Sequence, residues 1–226
     1  MNAPLPARAF QARSISLASR YGGRTVLAIG AHPDDLELAV GGTLARLSRE
    51  SARVVMAVIS IPADFATRQA EAQQAAAILG CELRVLVENG CARIDDMKSY
   101  QLVGLLDALV RELQPAAVLT HSASEFHRDH VAVHNACLST QRLRAFDLFH
   151  FSPTMTRAVP VSFHPRAYVD ISTTIETKMQ AIAAHASQFG ARGLEAEMYR
   201  DLARLNGRLA GVKYAEGLDV GRMLLA

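Results

Sequence analysis

The stretch AIGAHPDDLELAVGG, residues 28–42, places His32, Asp34 and Asp35 around a proline, just where an apolar run gives way to a helical pattern. A neutral imidazole and a carboxylate three residues apart can converge on one divalent cation as a chain enters a helix. Asp34 then points elsewhere, near the ion without binding it. Two adjacent carboxylates repel when no cation is close, so a bound metal accounts for their juxtaposition. A second set, HRDH at 127–130, holds His127 and His130 with Asp129 between them. One of these histidines joins His32 and Asp35 in a three-ligand set with positions left open for water, which separates catalytic from structural zinc. Such an ion lowers the pKa of water towards neutrality, so that a hydroxide can attack a carbonyl. Asp34 is placed to take the proton from that water. The remaining histidine, if cationic, can stabilise the oxyanion.

Each motif also has a plainer reading. HPDD suits a helix N-cap, because Asp in a first turn satisfies free amides and the helix dipole. HxxH is often a solvated helix start. What weighs against both is the frame in which they recur.

TVLAIG (25–30) is a short β-branched run ending at a glycine and reads as a buried strand. Residues 36–50 follow with helical spacing, although Gly41 and Gly42 each weaken a helix by about 1 kcal/mol relative to Ala. That pair predicts close backbone packing or an approaching ligand. The alternation repeats: strand 53–60, Ala-rich helix 67–80 closing on Gly80, strand 82–87, helix 99–114 stopped by Pro115, and strand 116–121. This order predicts right-handed crossovers and an α/β fold, a Rossmann-like three-layer sandwich with a mostly parallel sheet. Ligands in such sheets bind at the carboxyl ends of the strands. The loop after the first strand carries AHPDD and the loop after the fourth carries HSASEFHRDH, so both open on one rim. Beyond them, RAFDLFHF and PRAYVDI read as strands, and 172–188 and 196–211 as helices. The first 23 residues read as an irregular or partly helical lead-in to one domain spanning 1–226.

Lys plus Arg number 24 against 22 acidic residues, too even a balance for a nucleic-acid footprint. Cys81, Cys91 and Cys137 form no metal or redox motif, and their sparse, odd count suits a reducing cytosol. No apolar run is long enough to span a bilayer, and the N-terminal segment lacks the apolar core of a secretory signal. A cytoplasmic protein without nucleic-acid or membrane partners is the expectation.

AHPDDLELAVGGTLARL and the later HRDH resemble the LmbE-like/PIG-L family of zinc-dependent N-deacetylases. RQAEAQQAAAILG, AAVLTH, YVDISTTIETKMQAIAAHASQ and the late YAEGL extend the resemblance over residues 24–218. It implies that His32, Asp35 and His130 bind the metal, zinc by default or another first-row divalent ion. It makes Asp34 the general base, and makes His127, supported by Asp129, the group that stabilises the oxyanion or assists proton delivery. Arg68 matches an arginine near the sugar in relatives, though an Ala-rich helix could also carry it on its surface. His185 matches a position often filled by His, where it reaches the site, serves an intersubunit contact or packs between helices. The implied substrate is a small N-acetylated amino sugar or its conjugate, and self-association is expected of the family. Three departures stand out: Arg128 where relatives often have Pro, Glu125 where many have Asp, and a compact SIPADFATR loop without the usual glycines. His121, His134, His150 and His164 read as packed or surface histidines, His121 least securely because it ends a strand at the rim.

Two other functions compete with N-deacetylation. One is an amidase acting on a non-sugar metabolite. The other is a non-catalytic sugar- or nucleotide-binding protein of the same fold. No GxGxxG follows the first strand, which argues against a dinucleotide site. Every expected polar position of the metal site is filled, which argues against degeneration.

Overall fold

A computed structural model describes residues 16–88, 93–153, 163–189 and 195–224. Seven strands form one sheet: β1 (Thr25–Gly30), β2 (Arg53–Val58), β3 (Glu82–Val85), β4 (Ala117–His121), β5 (Asp147–Phe151), β6 (Ala167–Asp170) and β7 (Ala215–Arg222). Their spatial order is β3-β2-β1-β4-β5-β7-β6. The first five run parallel, whereas β7 is antiparallel to both β5 and β6. The helices are α1 (Leu17–Tyr21), α2 (Asp35–Arg49), α3 (Phe65–Leu79), α4 (Ser99–Leu113), α5 (Arg128–Thr140), α6 (Ile175–Ala183), α7 (Ala186–Phe189) and α8 (Glu197–Ala210).

Two apolar clusters show why the central strands are unbroken hydrophobic runs. Val26 and Ala28 of β1 face a cluster with Leu36, Val40 and Leu44 of α2 and Leu79 of α3. Leu27 and Ile29 face the opposite cluster, with Leu106 and Val110 of α4 and Val133 of α5. Successive side chains of a strand point to opposite faces, so a strand covered on both sides must be apolar throughout. The expected three-layer α/β sandwich is the architecture observed.

α2 lies close against the chain at its glycine pair. A Cβ on Gly42 would come within 2.7 Å of Ile171 Cδ1, so only glycine lets the helix pack there. Gly80, at φ 73°, ends α3 in the left-handed conformation that glycine adopts at least cost.

The structure differs from the sequence reading in three places. The helix expected over 172–188 breaks after Ala183 and resumes as α7. Glu71 of α3 captures both the Ser187 N–H and its hydroxyl at 2.7 Å, and this bond competes with helix continuation. α5 and β7 were not expected as elements. The partly helical lead-in agrees with the sequence reading where it is described, as a helix from Leu17 with a Ser16 N-cap; residues 1–15 lie outside the described residues, as does Cys91.

Candidate metal centre and active site

The sheet order changes direction between β1 and β4, each of which has its next strand on the far side. In doubly wound sheets this switch point opens the crevice in which ligands bind. The two strand ends are tied across it, for the Ala31 N–H donates to His121 Nε2 at 3.0 Å. His121 is in turn fixed by two buried histidines, His134 and His150, whose Nδ1 atoms lie 2.8 and 3.3 Å from its carbonyl oxygen.

After Gly30 the chain turns sharply into α2. A Cβ on Gly30 would meet Leu36 Cγ at 3.1 Å and Asp35 Cβ at 3.3 Å. Asp34 sits at φ 91°, a left-handed conformation costly for a residue with a side chain. Asp35 opens the helix and accepts the His32 N–H at 2.9 Å. Arg68, reaching from α3, donates to the Pro33 carbonyl at 3.0 Å and lies 3.8 Å from Asp34 Oδ2. It is buried and braces the turn from behind.

From the other loop, His127 occupies the N-cap of α5 and His130 lies in its first turn. One ligand atom each from His32, Asp35 and His130 fall within 4.8 Å of one another. His130 Nε2 lies 3.3 Å from Asp35 Oδ1. The outward nitrogens are both backed by carboxylates: His32 Nε2–H donates to Asp129 Oδ2 at 2.9 Å, and His130 Nδ1–H donates to Glu125 Oε2 at 3.1 Å. Carboxylates in this outer position fix the ring and its tautomer, leaving His32 Nδ1 and His130 Nε2 free to bind an ion. Two imidazoles and one carboxylate, so supported, fit a divalent first-row metal.

The electrostatics agree. Burial alone would pull His130 down, but Asp35 and Glu125 outweigh it and raise its pKa to about 10 in the absence of an ion. Burial would raise Asp35, yet the neighbouring His130 and, after it, His121 hold it well below the usual carboxylate range. Asp34 is pushed up to about 7, first by burial and next by the Asp35 charge. One carboxylate of the adjacent pair is thus disposed to stay ionised and the other to exchange a proton near neutrality.

His127 stands at the mouth. Its ring stacks on His130 at 4.6 Å and meets His32 edge-on at 5.3 Å. Burial, followed by the neighbouring His130 and His32, lowers its pKa. Asp129 reaches His32 rather than His127, so its hydrogen bond supports the candidate ligand and not His127. His185 is fully buried, with Nε2 3.0 Å from Glu37 Oε1, and faces the first turns of α2 rather than the open rim.

Two groups in the site were not assigned from sequence. Glu125, which differs from the Asp that many relatives carry, is buried behind His130 and accepts the Ser152 hydroxyl on its other oxygen. His121, read as a packing residue, lies 3.3 Å from Asp35 Oδ2 and stacks on His130 at 4.0 Å. Its place as the last residue of β4 was the available signal. His134 and His150 are buried and His164 is exposed, as packed or surface histidines should be.

The fold and site together define an α/β protein with a Rossmann-like sheet and, at its switch point, a His-Asp-His group that could hold a metal ion. The model of the PIG-L family, GlcNAc-PI de-N-acetylase, matches residues 27–140, and the chain belongs to that family. An uncharacterized deacetylase of Escherichia coli K12, YaiS, is 29% identical over 184 residues, covering 77% of this chain and 97% of that protein. A diacetylchitobiose deacetylase of Thermococcus kodakarensis is 26% identical over 223 residues, covering 86% and 82% respectively. Among solved structures, GalB, the 4-carboxy-2-hydroxymuconate hydratase of Pseudomonas putida KT2440, matches with a TM-score of 0.73 at 20% identity, covering 90% of this chain and 98% of that one. At that identity the likeness concerns the fold alone, and a fold can host different chemistries. Among the described residues, no helix is long and apolar enough to cross a membrane.

Proposed function

We propose that this protein is a metal-dependent N-deacetylase that removes the acetyl group from an amino sugar or amino-sugar conjugate. The observation that carries the reading is the convergence of His32, Asp35 and His130 beside an unliganded, strained Asp34. The deacetylase relatives, one of them acting on diacetylchitobiose, supply the substrate class. Zinc is the ion of first choice. Bound by these three residues, it supplies Lewis acidity, lowering the pKa of water and polarising the acyl carbonyl.

The chain's own groups do the rest. Asp34 accepts the proton of the attacking water, a role suited to a carboxyl poised near neutrality. Arg68 braces the loop that carries it. His127, at the exposed edge of the cluster, hydrogen-bonds the oxygen on which negative charge develops. The water oxygen joins the acyl carbon, the C–N bond breaks, and the proton held by Asp34 passes to the departing amine, leaving acetate and a free amino group. Asp129 and Glu125 keep His32 and His130 in register. Arg68 and His185, both buried, serve in this reading as supports for the first turn of α2 rather than as sugar contacts. A cytoplasmic setting belongs to the same proposal.

The test is acetate release from N-acetylglucosamine and diacetylchitobiose before chelation, after it, and after re-addition of zinc. Loss on chelation and recovery on re-addition are expected. Chelation-insensitive release would overturn the metal-dependent mechanism. A metal-loaded protein inactive on every N-acetylated sugar would move the reading to a non-sugar amide.

A further inference from the structure

A cleft of about 160 Å³ opens between α2, the end of β5 and α8. Leu38, Ala39, Phe163 and Leu202 give it apolar walls, with Ser152 and Asn206 among its uncharged polar lining. Whole-ligand pockets begin at roughly 300 Å³, so this cleft is sized for part of a molecule.

The cleft adjoins the centre. The Leu38 N–H donates to the Asp34 carbonyl at 3.0 Å, so Leu38 lies one helical turn beyond the candidate base, on the same face of α2. Ser152, on the opposite wall, donates to Glu125, the carboxylate behind His130. Tyr199 closes the side, its hydroxyl donating to the Pro153 carbonyl at 3.3 Å. The charged residues at the floor are occupied with each other: Lys178 Nζ lies 2.5 Å from Glu216 Oε1 and donates to the Leu38 carbonyl at 2.8 Å. They offer a ligand no uncompensated charge.

We propose that this cleft is a subsite for an uncharged, apolar group of the substrate, carried either on the aglycone of the amino sugar or at the end of an acyl chain longer than acetyl. The inference rests on the N-deacetylase reading for its reaction and extends the substrate beyond it. The cleft itself can be probed without turnover.

The zinc-loaded full-length protein is assayed in two arms: hexyl against methyl N-acetylglucosaminide, and N-hexanoyl- against N-acetylglucosamine. Each buried methylene contributes a factor of about four, so partial seating of a six-carbon chain should raise kcat/KM at least tenfold in one arm, and that arm identifies the source of the group. Leu202 is half-buried and outside the catalytic machinery. Leu202→Trp, which fills the cleft, and Leu202→Asp, which charges it, should each remove the preference while leaving the short-chain substrates within about twofold. In parallel, calorimetry compares hexyl and methyl β-D-glucoside, which contain no amide. Tighter binding of the hexyl compound, lost in both variants, supports the cleft even if no amide is turned over, in which case the N-deacetylase reading alone fails. Equal behaviour of long and short chains in both arms and in calorimetry, or a preference that survives both variants, overturns the proposal.

Discussion

Lys178→Met should be among the most destabilising single substitutions in this protein, because it strands the buried Glu216 charge against the helix that carries the site. Lys178 and Glu216 are 2% and 3% exposed. Glu216 accepts the Gly42 N–H at 3.0 Å and the Thr43 N–H at 2.7 Å, while Lys178 donates to the Leu38 carbonyl at 2.8 Å. Leu38 C=O and Gly42 N–H are the groups that an undisturbed helix would pair with each other. The ion pair therefore clamps the middle of α2 from α6 and β7 at one turn of its backbone. Removing one partner of such a pair costs about 3–5 kcal/mol, because the other charge stays buried without compensation. For a chain of this size that lowers the melting temperature by about 6–20 °C. Urea denaturation and calorimetry on Lys178→Met, Glu216→Gln and the double variant would measure it. The double variant should be less destabilised than the sum of the singles, since it leaves no stranded charge. A Lys178→Met cost below about 1 kcal/mol, or strict additivity, would refute the reasoning.

The remaining predictions concern the centre. Asp34→Asn should lower kcat by about 10²–10⁴ while the bound metal, measured by elemental analysis, is unchanged. Asp34→Gly should abolish activity yet stabilise the metal-free protein by about 1–3 kcal/mol in urea denaturation, by relieving the strain at φ 91°. Glu125→Gln or Asp129→Asn should weaken metal binding about 10–100-fold in a competition titration with a chelating dye, because each removes the carboxylate behind a ligating imidazole. In the metal-free protein the His130 pKa rises from 6.5 to about 10, so the stability it contributes is complete below about pH 6.5 and is lost as pH climbs through about 10. A metal must displace that proton, so apparent affinity should rise about tenfold per pH unit across neutrality, and a flat profile would contradict the assignment of His130.

The parts legible in the sequence are those where one physical constraint dominates. TVLAIG and AVLTH are apolar throughout because both sheet faces are covered, and their glycine or polar ends place the loops of the switch point. HPDD and HRDH could be paired because two crossovers bring those loops to one edge. β7 was hidden: AEGLDVGR is rich in acidic residues and glycine, and its pairing depends on partners far away in the chain. The break at His185 was hidden for a similar reason, since the bonds that compete with the helix come from Glu71 on another element. Glu125 and His121 show the same limit at the site. Their residue types were visible, but only the fold sets one behind His130 and the other against Asp35.

The most direct test of the whole account is metal content by elemental analysis on the wild-type protein and on His130→Ala, purified without chelators. The account predicts about one divalent ion per chain in the wild type and its loss, together with acetate release, in the variant. A wild-type protein that releases acetate with no bound metal, or a variant that keeps both ion and activity, would contradict it.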